Sequence, residues 1–153
     1  MFTEGERQEA LLSLKDKLVD AKEAIIVDNY FFSISSEKKE QYCNELKSIF
    51  PKNIDLLIFS KREDKYIIRK LLEKNIKVDV ITNIEDIHDR LLIVDMEKYY
   101  LIGSSLNGLG LKLCFIYELK NIKNKQRVIE YLGKKIPKGK KTILKNINII
   151  NWL

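Results

Sequence analysis

Histidine occurs once in this chain of 153 residues, at His88, and cysteine only twice, at Cys43 and Cys114. Two cysteines cannot build a disulfide framework. Both sit among apolar residues, so they read as buried free thiols in a reducing, cytoplasmic setting. One histidine and two scattered thiols also argue against a zinc site made within one chain, and no cofactor is expected. Long apolar runs are missing too. The longest, such as Ala24-Ile25-Ile26-Val27, fall far short of the roughly 20 residues a membrane-spanning helix needs, so no transmembrane association is expected. The first residues, Met1 to Arg7, are charged and lead into no apolar segment, which argues against a cleaved signal peptide. No internal repeat and no Pro/Ser-rich linker divides the chain. Its length fits one compact unit with a hydrophobic core.

What is present is unevenly charged. The net charge is +6, yet residues 1–118 carry 18 Lys/Arg against 21 Asp/Glu, a net of −3. Residues 119–153 carry 10 Lys/Arg and one acid, Glu130, a net of +9. A basic block of this kind can meet a polyanion or can simply be a solvated end.

Periodicity outlines the elements. Ala10, Leu11, Leu14, Leu18 and Ala21 recur at spacings of three and four, predicting a helix from Glu6 to Ala21. Strands are expected at Ala24–Asp28, Leu56–Ser60 and Ile76–Thr82. Between them lie a helix capped by Ser35 or Ser36 and stopped by Pro51, and a helix over Glu63–Glu73. This βαβαβ order argues for parallel strands with covering helices. His88–Asp95 and Tyr99–Gly103 then read as a hairpin turning at Met96-Glu97-Lys98, and Leu113–Leu119 as a further strand. Lys125–Tyr131 reads as a short helix, and no element is visible from Gly133 to Trp152. The expected class is α/β, a mixed sheet flanked by helices.

The chemistry concentrates in His88-Asp89-Arg90, Asp95 and Gly103-Ser104-Ser105-Leu106-Asn107. On a strand, His88 and Arg90 would point the same way. A guanidinium neutralises phosphate oxygens, and an imidazole can attack phosphorus or move protons. Ser104 and Asn107 could add neutral hydrogen bonds, though both are also ordinary turn formers. Asp95, at the hairpin bend, fits a structural role as well as an electrostatic one. Tyr30, Phe31 and Phe32 read first as core, with base stacking or a dimer interface as alternatives. Trp152 reads as an anchor for the tail. Lys134, Lys135, Lys138, Lys140 and Lys141 surround Pro137 and Gly139 and read as a mobile basic segment able to contact phosphates.

The order His88-x-Arg90, four residues, Asp95, seven residues, Gly103-Ser104-x-x-Asn107 resembles the signature of the phospholipase D superfamily. The preceding βαβαβ pattern extends the resemblance over roughly residues 10–119. It implies a phospholipase D-like domain at 1–119, with 120–153 as a basic C-terminal helix and tail packed on it or extending from it. It also implies a metal-independent phosphodiesterase whose histidine forms a phosphohistidine intermediate, with a second histidine protonating the leaving group. One chain has only His88. The resemblance therefore implies a homodimer with two half-sites across a two-fold axis, or a partner protein carrying its own motif. Family members also use an acid after the asparagine to orient histidine; Glu118 is the nearest candidate, and Asp28 another site acid. Arg90 departs from the usual lysine, keeping the charge but offering a planar fork.

The basic end favours nucleic acid, so a nuclease is the first expectation. The His-Asp-Arg variant resembles a branch linked to phage and mobile elements, implying phage defence, possible within a larger complex, as a setting. The rivals are a catalytically degenerate module that binds nucleic acid or protein, and a phospholipase acting on anionic membranes.

Overall fold

A computed structural model describes residues 1–145 and 147; Trp152 lies outside them. Helix α1 (Arg7–Lys17) precedes strand β1 (Glu23–Val27), helix α2 (Ser36–Ile49) and strand β2 (Asp55–Phe59). Helix α3 (Lys65–Leu72), strand β3 (Lys77–Ile81), strand β4 (Arg90–Val94) and strand β5 (Lys98–Ile102) follow. A short 3-10 turn (Leu106–Gly108), strand β6 (Ile116–Leu119) and helix α4 (Ile122–Lys135) complete the order.

The six strands form one mixed sheet in the order β3-β2-β1-β4-β5-β6. β1, β2 and β3 are parallel, while β4 is antiparallel to β1 and β5, and β5 to β6. The parallel strands step in one direction across the sheet. Right-handed crossovers then place both connecting helices on the same face. Ala24, Ile26, Leu56, Ile58, Leu92 and Val94 accordingly pack with Leu14 of α1, Leu46 of α2 and Ile67 of α3.

The other face carries Ile25, Val27, Leu57, Phe59, Leu91 and Ile93, packed with Ile129, Leu132, Ile136, Leu144 and Ile147. Spacings of three and four put Ile129, Leu132 and Ile136 on one stripe of α4 and the residue after it. Burying such side chains stabilises by about 1.5–3 kcal/mol each. The basic C-terminal segment thus covers half the sheet. α4 runs longer than the expected Lys125–Tyr131, and it includes Lys134 and Lys135, expected in a mobile segment. Asn121 caps its start, its Oδ1 accepting from the Asn124 N–H at 2.9 Å. α1 is shorter than expected: it stops at Lys17, although Leu18 and Ala21 remain buried.

Candidate functional site

The site end of the sheet is where β1 finishes and β4 begins. Asp28 directly follows β1 and Arg90 opens β4. Residues alternate along a strand, so Asp28 shares the α1–α3 face with Ile26 and Ala24, and Arg90 shares it with Leu92 and Val94. Asp28 is wholly buried. Its Oδ1 accepts from the Tyr30 N–H at 3.0 Å. Its Oδ2 accepts from the Ser105 hydroxyl at 2.8 Å and the Leu106 N–H at 2.9 Å. Burial pushes the carboxyl above its usual range; the Leu106, Ser105 and Tyr30 hydrogen bonds and the Arg90 charge pull the other way. One acid thereby joins the loop after β1 to the loop after β5.

Arg90 faces an open groove of about 580 Å³ that Tyr30, Ser33, Ser104, Asn107 and Lys112 also line. Its Nε is buried and, among the described residues, has no hydrogen-bond partner. Its guanidinium carbon lies 6.0 Å from the centre of the Tyr30 ring. The signature's glycine has a physical reason. A Cβ on Gly103 would sit 3.1 Å from the Phe115 nitrogen, so the bare backbone lets the chain before β6 come close. The Gly103 N–H donates to the Phe115 carbonyl at 2.8 Å.

Asn107 does something different from the expected phosphate contact. Its amide donates to the carbonyls of Tyr30 and Ser33, each at 2.7 Å. Both amide hydrogens are therefore committed, and only the acceptor oxygen remains. Ser104 lies in the groove, its hydroxyl donating to the Ser105 carbonyl at 3.1 Å.

His88 and Arg90 line different hollows. β4 starts at Arg90, two residues later than the expected His88, so the alternation expected to pair His88 with Arg90 does not reach His88. The imidazole is exposed and opens onto a separate hollow of about 460 Å³, with Asp86, Leu91, Arg127, Tyr131 and Leu132. The loop that carries it is held from both sides. Asn29 donates from Nδ2 to the Ile87 carbonyl at 2.8 Å. Asp86 accepts from the Tyr131 hydroxyl and from Lys135 Nζ, the latter at 2.8 Å. Lys135 and then Tyr131 hold the Asp86 carboxyl down at about 2. Asp86→Asn should leave the melting temperature almost unchanged, because exposed ion pairs contribute little. It should instead speed hydrogen exchange at the Ile87 amide, which closes this loop by donating to the Ile84 carbonyl at 3.0 Å. Unchanged exchange there would show that the pair does not restrain the loop.

The remaining candidates lie apart from Arg90. Asp95 is at the far end of β4. Its Oδ1 accepts from the Lys22 and Glu23 N–H groups at 2.9 and 3.0 Å. Glu118 lies opposite Tyr100 on β5, whereas Arg90 is level with Ile102 and Ile116. Two residues along and two strands across amount to about 12 Å. Lys134 and Lys138 line a third hollow with Asn83 and Pro137 beside the end of α4, and Lys140 and Lys141 are exposed just beyond it. Asp28 is the residue that sequence reasoning underrated. Its one signal was its place at the end of an apolar strand.

No protein-family model matches the chain, and no curated protein matches it. Among solved structures, NucT from Helicobacter pylori superposes with a TM-score of 0.51 at 16% identity, over 86% of this chain and 89% of NucT. TrmBL2, an archaeal chromatin protein whose structure shows a novel mode of DNA binding, superposes with a TM-score of 0.43 at 13% identity. That match covers 88% of this chain and 49% of TrmBL2. The mixed sheet, its flanking helices and the likeness to NucT together give this chain an α/β fold of the kind NucT has.

Proposed function

We propose that the protein is a metal-independent phosphodiesterase of the phospholipase D type, acting as a nuclease in a site shared by two copies of the chain. The observation that carries this reading is the Arg90 guanidinium, whose buried Nε has no hydrogen-bond partner among the described residues, held at a groove where its charge acts on the buried Asp28. A cation supported in this way suits a phosphodiester oxygen. Ser104 adds a hydroxyl at the same groove. Lys135 reaches the His88 loop through Asp86, and Lys134, Lys138, Lys140 and Lys141 add positive charge at the end of α4 and beyond it, where a polyanion's backbone can lie without being read for sequence.

In the proposed reaction an imidazole nitrogen of His88 attacks phosphorus. A P–N bond forms and the P–O bond to the leaving oxygen breaks. The leaving oxygen takes a proton from the His88 of a second copy. That imidazole then removes a proton from water, whose oxygen attacks phosphorus, and the P–N bond breaks to return free His88. For this chemistry His88 must turn onto the Arg90 face. Two more residues of β-structure at the start of β4 would bring it there. A role in phage defence rests on the sequence resemblance alone.

Cleavage of labelled DNA or RNA that persists in EDTA and is lost in His88→Ala is the expected result. Light scattering should give a dimer; an active monomer would sink the shared site. A second reading, a binding module without turnover, draws on the position of His88 outside the Arg90 groove. Nucleic-acid binding without cleavage, unaffected by His88→Ala, would favour it. Hydrolysis of phospholipid vesicles in place of nucleic acid would overturn the nuclease assignment.

A further inference from the structure

Three aromatic residues follow Asp28 in sequence, and the fold treats them differently. Phe31 and Phe32 are 0% and 3% exposed and belong to the core, while Tyr30 is 47% exposed. The exposure is not that of a loose side chain. The Tyr30 N–H donates to Asp28 Oδ1 at 3.0 Å. Its carbonyl accepts from Asn107 Nδ2 at 2.7 Å and from the Ser33 N–H at 3.0 Å. The backbone that carries the ring is thus pinned by the same Asp28 and Asn107 that organise the groove.

The ring lines that groove beside Arg90. A separation of 6.0 Å from the guanidinium carbon is at the outer limit of a cation–π contact, so Arg90 does not occupy the ring face closely. Lys112 lies on the same groove as a second cation. A half-exposed aromatic face on an anchored backbone, next to a guanidinium whose Nε has no hydrogen-bond partner among the described residues and with another cation nearby, matches the parts of a nucleotide: a planar base and its flanking phosphates. A lipid phosphodiester has the phosphate but no planar group for the ring.

We propose that Tyr30 is a base-stacking subsite and that the substrate is an unpaired nucleotide, its base on Tyr30 and its phosphate at Arg90. This rests on the reading of the Arg90 groove as a nucleic-acid site. In a duplex both faces of each base are covered by neighbours, so a base reaches Tyr30 only from a single strand or an unstacked position. Tyr30 then selects single strands over duplex and nucleic acid over lipid.

The test is fluorescence anisotropy in the His88→Ala background, where cleavage cannot deplete the ligand. The ligands are a labelled oligothymidylate, an abasic strand of the same length and a duplex of that length. Tyr30→Ala should weaken oligothymidylate binding on the order of 10-fold, the usual size of one lost stacking contact. It should leave abasic-strand binding unchanged, and Tyr30→Phe should restore oligothymidylate binding. The duplex should bind more weakly than the single strand. Equal weakening of both single strands, no effect of Tyr30→Ala, or tighter duplex binding would overturn the inference. If Arg90→Ala still reduces binding in that case, the groove remains a phosphate site and only the role of Tyr30 fails. If Arg90→Ala has no effect, or no strand binds, the nucleic-acid reading of the groove fails with it.

Discussion

Asp28→Ala is expected to cost about 3–5 kcal/mol of stability, the usual penalty for removing one partner of a buried charged network. The carboxylate accepts from the Tyr30 N–H, the Ser105 hydroxyl and the Leu106 N–H. Each donor left unpaired in a dry interior costs about 1–3 kcal/mol. Arg90 would also lose the negative charge that its own charge acts on at Asp28. A shift in the urea midpoint at constant slope would report this, and a loss below about 1 kcal/mol would show that water replaces the carboxylate. Asp28→Asn is the finer probe. The amide oxygen can take over from Oδ2, but the amide nitrogen then faces the Tyr30 N–H, donor against donor. The pH dependence has a definite sign. Burial raises the folded carboxyl above its ordinary value of 3.8. The folded state therefore binds the proton more tightly than the unfolded chain. This contribution to stability is present in acid and declines as pH rises from about 4 through the raised pKa. The stability gap between the wild type and Asp28→Asn should be largest near pH 4 and narrow toward pH 7. A gap that widens instead would mean that Arg90 and the hydrogen bonds outweigh burial.

Gly110→Ala should be about as damaging, from outside the groove. Gly110 has φ +78°, and a Cβ there would lie 2.4 Å from the Arg7 Cα and 2.7 Å from its nitrogen. Both are backbone atoms at the start of α1 and cannot rotate aside. The left-handed conformation costs an L-residue about 1–2 kcal/mol, and forced overpacking about 1–3 more. For a chain of this length that is a fall in melting temperature on the order of 10 °C. The damage should reach the site. Arg7 Nη1 donates to the Leu106 and Leu109 carbonyls at 3.1 and 2.8 Å, while its Nε and Nη2 grip Glu45 at 3.0 and 2.9 Å. Pushing α1 away would loosen the loop that Asp28 anchors from the other side. Gly5→Ala is the control. It shares a positive φ of +85° but has no atom within 4 Å of the added Cβ, so it should cost only about 1 kcal/mol. Equal losses for the two variants would refute the steric account.

Much of the architecture was legible in the sequence because it rests on short-range patterns. The apolar strand cores, the stop at Pro51 and the βαβαβ alternation all survive in the mixed sheet. Arg90 and residues of the Gly103–Asn107 loop, which the signature joins in sequence, line one groove. What was not legible depends on long-range pairing. Nothing near Asp28 shows that Ser105 and Leu106 will close on it from 77 and 78 residues away. The extent of α4 was hidden because its lysines lie on the solvent side and mask the Ile129–Leu132–Ile136 stripe. The run from His88 to Asp95 looks like one strand, because the ties that hold the His88 loop outside the sheet come from Asn29 and α4, far away in sequence.

Asp95 belongs to the same signature, yet it lies about 17 Å along the strand from Arg90. Its side chain closes on the Lys22 and Glu23 N–H groups, and its own N–H donates to the Glu23 carbonyl at 2.9 Å. These bonds lock the register of β4 against β1, with Val94 opposite Ala24 and Leu91 opposite Val27. A slip of one residue would turn every side chain of β4 over. Arg90 would then leave the face of Asp28 for the side that α4 covers. The interval between Arg90 and Asp95 is thus a length of strand, not a reach across a catalytic centre. The far aspartate decides which side of the sheet the Arg90 charge is on.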